Sequence, residues 1–134
     1  MYPFEIHVIL DHYLTALLWS STHTTTDDDG NELETIPMDE VDAELSPELI
    51  DASRADVVDF LAYATMRLQD AGFSWDDYPD GAEQLGHDIA LTRNGHGAGF
   101  WDRGYGKVGD ILTDAAHALG SVDPYVYDGM IYPF

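Results

Sequence analysis

The stretch from Ser46 to Gly72 constrains this chain more than any other part of it. Ser46 is an N-cap residue whose hydroxyl can accept from an orphan amide, Pro47 suits the first helical position because an N–H there has no partner, and Glu48 adds an anion at the positive end of the helix dipole. Behind them Leu49, Ile50, Val57, Phe60, Leu61, Ala64 and Leu68 form one apolar stripe, and Gly72 supplies a C-cap. The spacing predicts a long amphipathic helix that has to bury its stripe against other elements.

Other segments say what those elements are. Residues 4–19 place Phe4, Val8, Tyr13, Leu14, Leu17 and Leu18 at helical spacing, although the β-branched residues between Ile6 and Ile9 leave an initial strand open. Ser20 to Asn31 reads as a loop turning at Asp29-Gly30, and one helical turn is expected near Met38 to Val41. Residues 74–86 read as a second loop. Two short strands are then expected, Asp88–Thr92 and Gly99–Arg103, around Asn94-Gly95-His96-Gly97. A helix over Lys107–Leu119, ended by Gly120, precedes a second hairpin, Tyr125–Tyr127 and Met130–Tyr132, around Asp128-Gly129. The expected fold is α+β: a small antiparallel sheet from two hairpins (about 88–103 and 125–132) packed against three to four helices. At 134 residues, with no internal repeat, a single domain over 1–134 is expected.

Composition narrows the function classes. With 45% hydrophobic and 12% aromatic residues the chain is too rich in core formers to be disordered, and without cysteine it can have no disulfide, thiolate nucleophile or cysteine zinc site. There is no basic n-region at the N-terminus and no segment of transmembrane length, which suggests a soluble intracellular protein. The 26 Asp and Glu residues face only 5 Lys and Arg, a formal charge of -21. Nucleic acid and anionic membranes are polyanions bound through Lys and Arg, so direct binding to either is opposed and a cationic partner is favoured. Solubility or salt adaptation would produce the same acidity.

Candidate chemistry concentrates in Gly86 to Lys107, where Arg93, Arg103 and Lys107 face only Asp88 and Asp102. In a hairpin Ile89, Leu91, Phe100 and Asp102 share one face that reads as core, while Asp88 lies opposite Arg103 beside Trp101 as a cross-strand ion pair or part of a ligand patch. His87, Asp88, Arg93, Asn94, His96, Trp101, Asp102 and Arg103 are thus the ligand or partner candidates. His87, Asp88, His96 and Asp102 could ligate a metal, but their spacing matches no compact motif, and no metal or cofactor is expected. His87 or His96 could serve as base for Thr92 or Ser121, yet no nucleophile elbow is present, so no catalytic residue is assigned. Gly104-x-Gly106-x-x-Gly109 spells a dinucleotide fingerprint without the βαβ context, and turn glycines explain it better. His7, His12, His23 and His117 read as packing or surface residues, and the C-terminal tyrosines as a strand face rather than a base-stacking platform.

Asp27 to Asp59 carries thirteen carboxylates and one cation, Arg54. Asp27, Asp28, Asp29, Glu32, Glu34, Asp39, Glu40, Asp42, Glu44, Glu48, Asp51, Asp56 and Asp59 are candidates for an acidic face that imitates the phosphates of DNA, or for a merely solvated one.

The segments GHDIALTRNGHGAGFWDRGYG, LTALLWSSTHTTTDDDGNEL and GSVDPYVYDGMIY resemble a family of small uncharacterised proteins of tailed bacteriophages, with RNGHGAGFWDRG the most specific part. The chain departs from it at Ile89-Ala90, where the family carries a bulky aromatic. The resemblance implies a phage accessory protein in the host bacterial cytoplasm and transfers no catalytic residue. The favoured expectation is a non-enzymatic acidic module that binds or inhibits a basic, nucleic-acid-handling host protein. A ligand-binding domain or enzyme centred on 86–107, and a minor virion component, are the alternatives.

Overall fold

A computed structural model describes residues 4–96, 99–100 and 104–133. Among these the chain is α+β, with four α-helices and two small sheets. Helix α1 spans Ile6–Ser20, α2 Pro47–Asp70, α3 Ala82–Arg93 and α4 Lys107–His117, with short 3-10 turns at Met38–Glu40 and Trp75–Asp77. Strands β1 (Thr22–Thr26) and β2 (Glu32–Pro37) make an antiparallel ribbon, while β3 (Glu44–Leu45), β4 (Tyr125–Tyr127) and β5 (Met130–Tyr132) form a sheet in the order β3-β5-β4. No helix of the described residues is long and apolar enough to cross a membrane.

Helix α2 forms where its caps and stripe place it. Ser46 Oγ accepts from the Leu49 amide at 3.0 Å. At the other end the amides of Gly72 and Phe73 donate to Gln69 and Leu68 carbonyls, closing the helix in a Schellman turn. Leu49, Val57, Phe60, Leu61, Ala64 and Leu68 are buried, Ile50 is half-buried, and Phe60 stacks on Phe100 with ring centroids 5.7 Å apart. The C-terminal hairpin is also as expected. Asp128 (φ 49) and Gly129 (φ 77) both take positive φ, the type I′ turn whose twist suits flanking strands. Val126 and Ile131 turn inward against the core. Strand β3 joins β5 in parallel, the amides of Glu44 and Ser46 each donating at 3.0 Å to Gly129 and Ile131.

The hairpin expected over 88–103 is a helix instead. Asp88 to Thr92 lies inside α3, which runs on to Arg93. The Asn94-Gly95 pair that resembles a hairpin turn is the C-cap of that helix: Gly95 (φ 74) donates to Thr92 and His96 donates to Leu91, a second Schellman turn. Ile89, Leu91 and Phe100 are buried as expected, but from a helix and the segment after it, with the Phe100 amide donating to Thr92 Oγ1. Asp88 is therefore not a cross-strand residue, and Trp101, Asp102 and Arg103 lie outside the described residues. Two expected loops also hold structure. Thr22 to Thr26 is strand β1, and residues 74–86 contain the second 3-10 turn and the start of α3.

The α1–α3 contact explains why a short apolar run became helical here. Both helices are buried on broad faces, and Gly86 lets them cross closely: a Cβ on it would overlap the Ile9 carbonyl oxygen and lie 2.9 Å from the Tyr13 amide nitrogen. Backbone cannot yield as a side chain can. Gly86→Ala should therefore lower stability by about 1–3 kcal/mol or more, whereas Gly81→Ala, with open space around it, should cost only what alanine loses to glycine at the N-cap of α3, about 0.5–1 kcal/mol. Urea midpoints of the two variants check this.

Candidate functional site

The candidate residues of 86–107 do not converge on one cleft. Arg93, at the last turn of α3, points inward and is 7% exposed. Its Nη1 donates to Asp56 Oδ2 at 2.6 Å and to the Tyr13 hydroxyl at 2.7 Å. Its Nε and Nη2 donate to the Gly120 and Leu119 carbonyls at 2.8 and 3.0 Å. One guanidinium thus ties α3 to α1, α2 and the chain leaving α4. Burial draws the pKa of Arg93 down, but Tyr13 and Asp56 outweigh it and the net shift is upward, so the group stays cationic. Its ion-pair partner is Asp56.

Asp88 is fully buried and accepts from Gln84 Nε2 at 2.9 Å, with His87 Nδ1 3.4 Å away. His87 is half-exposed, its ring 6.3 Å from that of Trp19. Asn94 Oδ1 accepts from the Val122 amide at 2.8 Å, stitching the α3 cap to the approach to β4. His96 is exposed. With Asn94, Ser121 and Asp123 it lines an open depression of about 250 Å³ beside the end of α1. No hydrogen bond joins His96 to Ser121 or Thr92 among the described residues, so no base-activated nucleophile is formed there. Nor do three His, Asp or Glu side chains of the described residues gather as a metal site.

The acidic candidates divide. Asp28, Asp29, Glu32, Glu34, Asp39, Glu40, Asp42, Glu44, Glu48, Asp51 and Asp59 are exposed, spread over the ribbon, the first 3-10 turn, β3 and the outer side of α2. Two have internal work. Asp56 holds Arg93, and Asp27 organises the ribbon's turn by accepting from the amides of Asn31 and Asp29, each at 2.9 Å. Those donors, Asn31 first, stabilise the Asp27 carboxylate and lower its pKa. On α2, Glu48, Asp59 and Asp70 recur every eleven residues and so share one side of the helix. Their spacing is about 16 Å at 1.5 Å per residue, far sparser than the phosphates of duplex DNA, and the acids between them, Asp51 and Asp56, lie against Arg54 and Arg93.

The cations are largely taken up within the fold. Arg54 lies 3.5 Å from Asp51, and Arg67 donates to the Tyr63 hydroxyl at 2.8 Å while lying over that ring. Among the described residues this leaves Lys107, exposed at the start of α4.

The partners Tyr13 and Asp56 have no signal in the sequence, being 80 and 37 residues from Arg93. Only Arg93's position at the end of an apolar helix marks it as unusual. Comparison of the chain with protein-family models, curated proteins and solved structures finds no match.

Two predictions follow from the Arg93 cluster. Arg93→Ala, which empties a buried site and orphans Tyr13 and two carbonyls, should cost about 3 kcal/mol. Asp56→Asn keeps an acceptor at a side chain still 31% exposed and should cost less, about 1–2 kcal/mol; chemical denaturation measures both. The second concerns alkali. Burial raises the Tyr13 pKa above 10.0, and the opposing charge and hydrogen bond of Arg93 do not cancel it. The folded state then holds this proton more tightly than the unfolded chain, so its contribution is complete below pH 10 and is lost as pH rises from there through the folded pKa. Urea midpoints should fall over that window, and Tyr13→Phe should reduce the slope.

Proposed function

We propose that this protein is a non-enzymatic acidic interaction module that binds a basic, nucleic-acid-handling protein and competes with nucleic acid for its cationic groove. The observation that carries this reading is the fate of the charges. Arg93 is buried, Arg54 lies against Asp51, Arg67 is held on the Tyr63 ring and hydroxyl, and beside exposed Lys107 eleven of the thirteen carboxylates nominated between Asp27 and Asp59 stand in solvent. Such a surface projects a strong negative field, which steers cationic partners and repels polyanions. The resemblance of its segments to phage proteins supports a host bacterial cytoplasm as the setting. A ligand site centred on 86–107 is the weaker reading, because Asp88, Arg93 and Asn94 direct their polar groups into the fold.

The test is competition. A basic DNA-binding protein held on labelled duplex should be displaced by this chain at low salt, and affinity should fall about tenfold or more between 50 and 200 mM salt. Replacing Asp28, Asp29, Glu32 and Glu34 by their amides should weaken displacement. Salt-independent binding, or no displacement at low salt, would refute the proposal.

A further inference from the structure

The small sheet presents a second kind of surface beside the carboxylates. Strand alternation sends Val126 and Ile131 inward, and sends Tyr125 and Tyr127, with their cross-strand partners Tyr132 and Met130, to the opposite face. Tyr125 is 42% and Tyr127 68% exposed. Their rings form one continuous aromatic patch: Tyr125 stacks on Tyr132 at 5.6 Å between centroids, and Tyr127 lies 6.4 Å from the same ring. Exposed tyrosines grouped in this way are characteristic of protein-binding surfaces, where they supply contact area at low entropic cost.

We propose that this face docks an extended, arginine-bearing segment of a partner protein, an inference that rests on the acidic-module reading and names the feature that partner has to offer. Charge selects the occupant. Glu44 is the lateral neighbour of Met130 in the β3–β5 register, Asp128 occupies the hairpin turn, and Asp123 lies two residues before Tyr125. No Lys or Arg occurs in the sequence before Arg54 or after Lys107, so the segments that build the sheet bring anions and no cation to it. A second copy of the chain would set one charge of -21 against another, and nucleic acid would bring phosphates to the same field. Arginine fits better than lysine because its planar, weakly hydrated guanidinium stacks on tyrosine while its fork of donors reaches carboxylates. The fold already contains that contact once, Arg67 lying 5.6 Å over the Tyr63 ring. The extended form follows from the edge. In a hairpin with a two-residue turn Tyr127 and Met130 exchange hydrogen bonds, so the N–H and C=O of Val126 face away from β5, and β4 is the outer strand of the sheet.

Two synthetic peptides of equal length and charge, one carrying arginines and the other lysines at the same positions, test this with the full chain by calorimetry at low salt. The arginine peptide should bind about fivefold tighter or more, and Tyr125→Ala/Tyr127→Ala should remove that advantage while leaving the lysine peptide within about twofold. Tyr127→Ala alone, which keeps the stacked Tyr125–Tyr132 pair, should remove part of the advantage and serves if the double variant unfolds. Equal affinity of the two peptides, or a preference indifferent to the tyrosines, would overturn the docking face and leave the acidic module standing. No binding of either peptide would overturn both.

Discussion

The guanidinium of Arg93 is the point on which the helical part of the fold depends. It sits at the end of α3, where the last carbonyls of a helix favour a cation, and it also satisfies two carbonyls beyond the end of α4. Desolvating a charge costs several kcal/mol, and Coulomb attraction to one carboxylate offsets that only when the remaining donors are also bonded. Here Nη1, Nη2 and Nε all have acceptors, and Asp56 stays partly in water so that its own desolvation is limited. The arrangement is specific rather than merely adhesive. Lysine, a point charge on a flexible stem, could not reach four acceptors on three segments at once.

That node also bears on how much of the structure was legible. Features whose partners lie within a few residues are visible in the sequence: the Ser46 cap, the Pro47 start, the apolar stripe of α2, and the Asp128-Gly129 hairpin. Features fixed by distant partners are not. Asp88 to Thr92 is a short apolar run that suits a strand or a helix equally, and Asn94-Gly95 serves either as a hairpin turn or as a helix C-cap. The contact of Gly86 with the α1 backbone decides between them, and it joins residues more than seventy positions apart. The ribbon shows the converse. The run Thr22 to Thr26 has β-branched residues at four of five positions, yet polar side chains on both faces hide the alternation by which a half-buried strand is recognised.

For the candidate site, the sequence separated an acidic segment from a nearly neutral one, and the structure gives that separation a different meaning. The neutral segment is poor in acids because it supplies the core: Ile89, Ala90, Leu91 and Phe100 are buried, and Asp88 and Arg93 are buried with them. The polar patch that those residues suggested in a hairpin is dispersed once α3 is a helix, with Arg93 turned to the core and His96 left at the surface. The acidic segment keeps its carboxylates outside, apart from the two recruited to hold Arg93 and the ribbon turn.

A surface of this kind works against its own fold, since like charges repel more in the compact state than in the expanded chain. Three features of the molecule limit that cost. Its acids are spread over several elements, the ribbon most of all, where every residue from Thr24 to Thr26 and from Asp28 to Thr35 is exposed. The Glu48, Asp59 and Asp70 row on α2 is spaced beyond the Debye length at physiological salt, about 8 Å, so its members repel one another appreciably only at low ionic strength. And the largest apolar groups, Phe60, Phe100 and the leucines of α1, α2 and α3, are packed in a core where Asp88 is the one buried acid among the described residues. Stability is thus supplied by a core in which Arg93, the one buried cation among the described residues, is held by contacts from α1, α2 and the chain after α4, which leaves the remaining surface strongly negative.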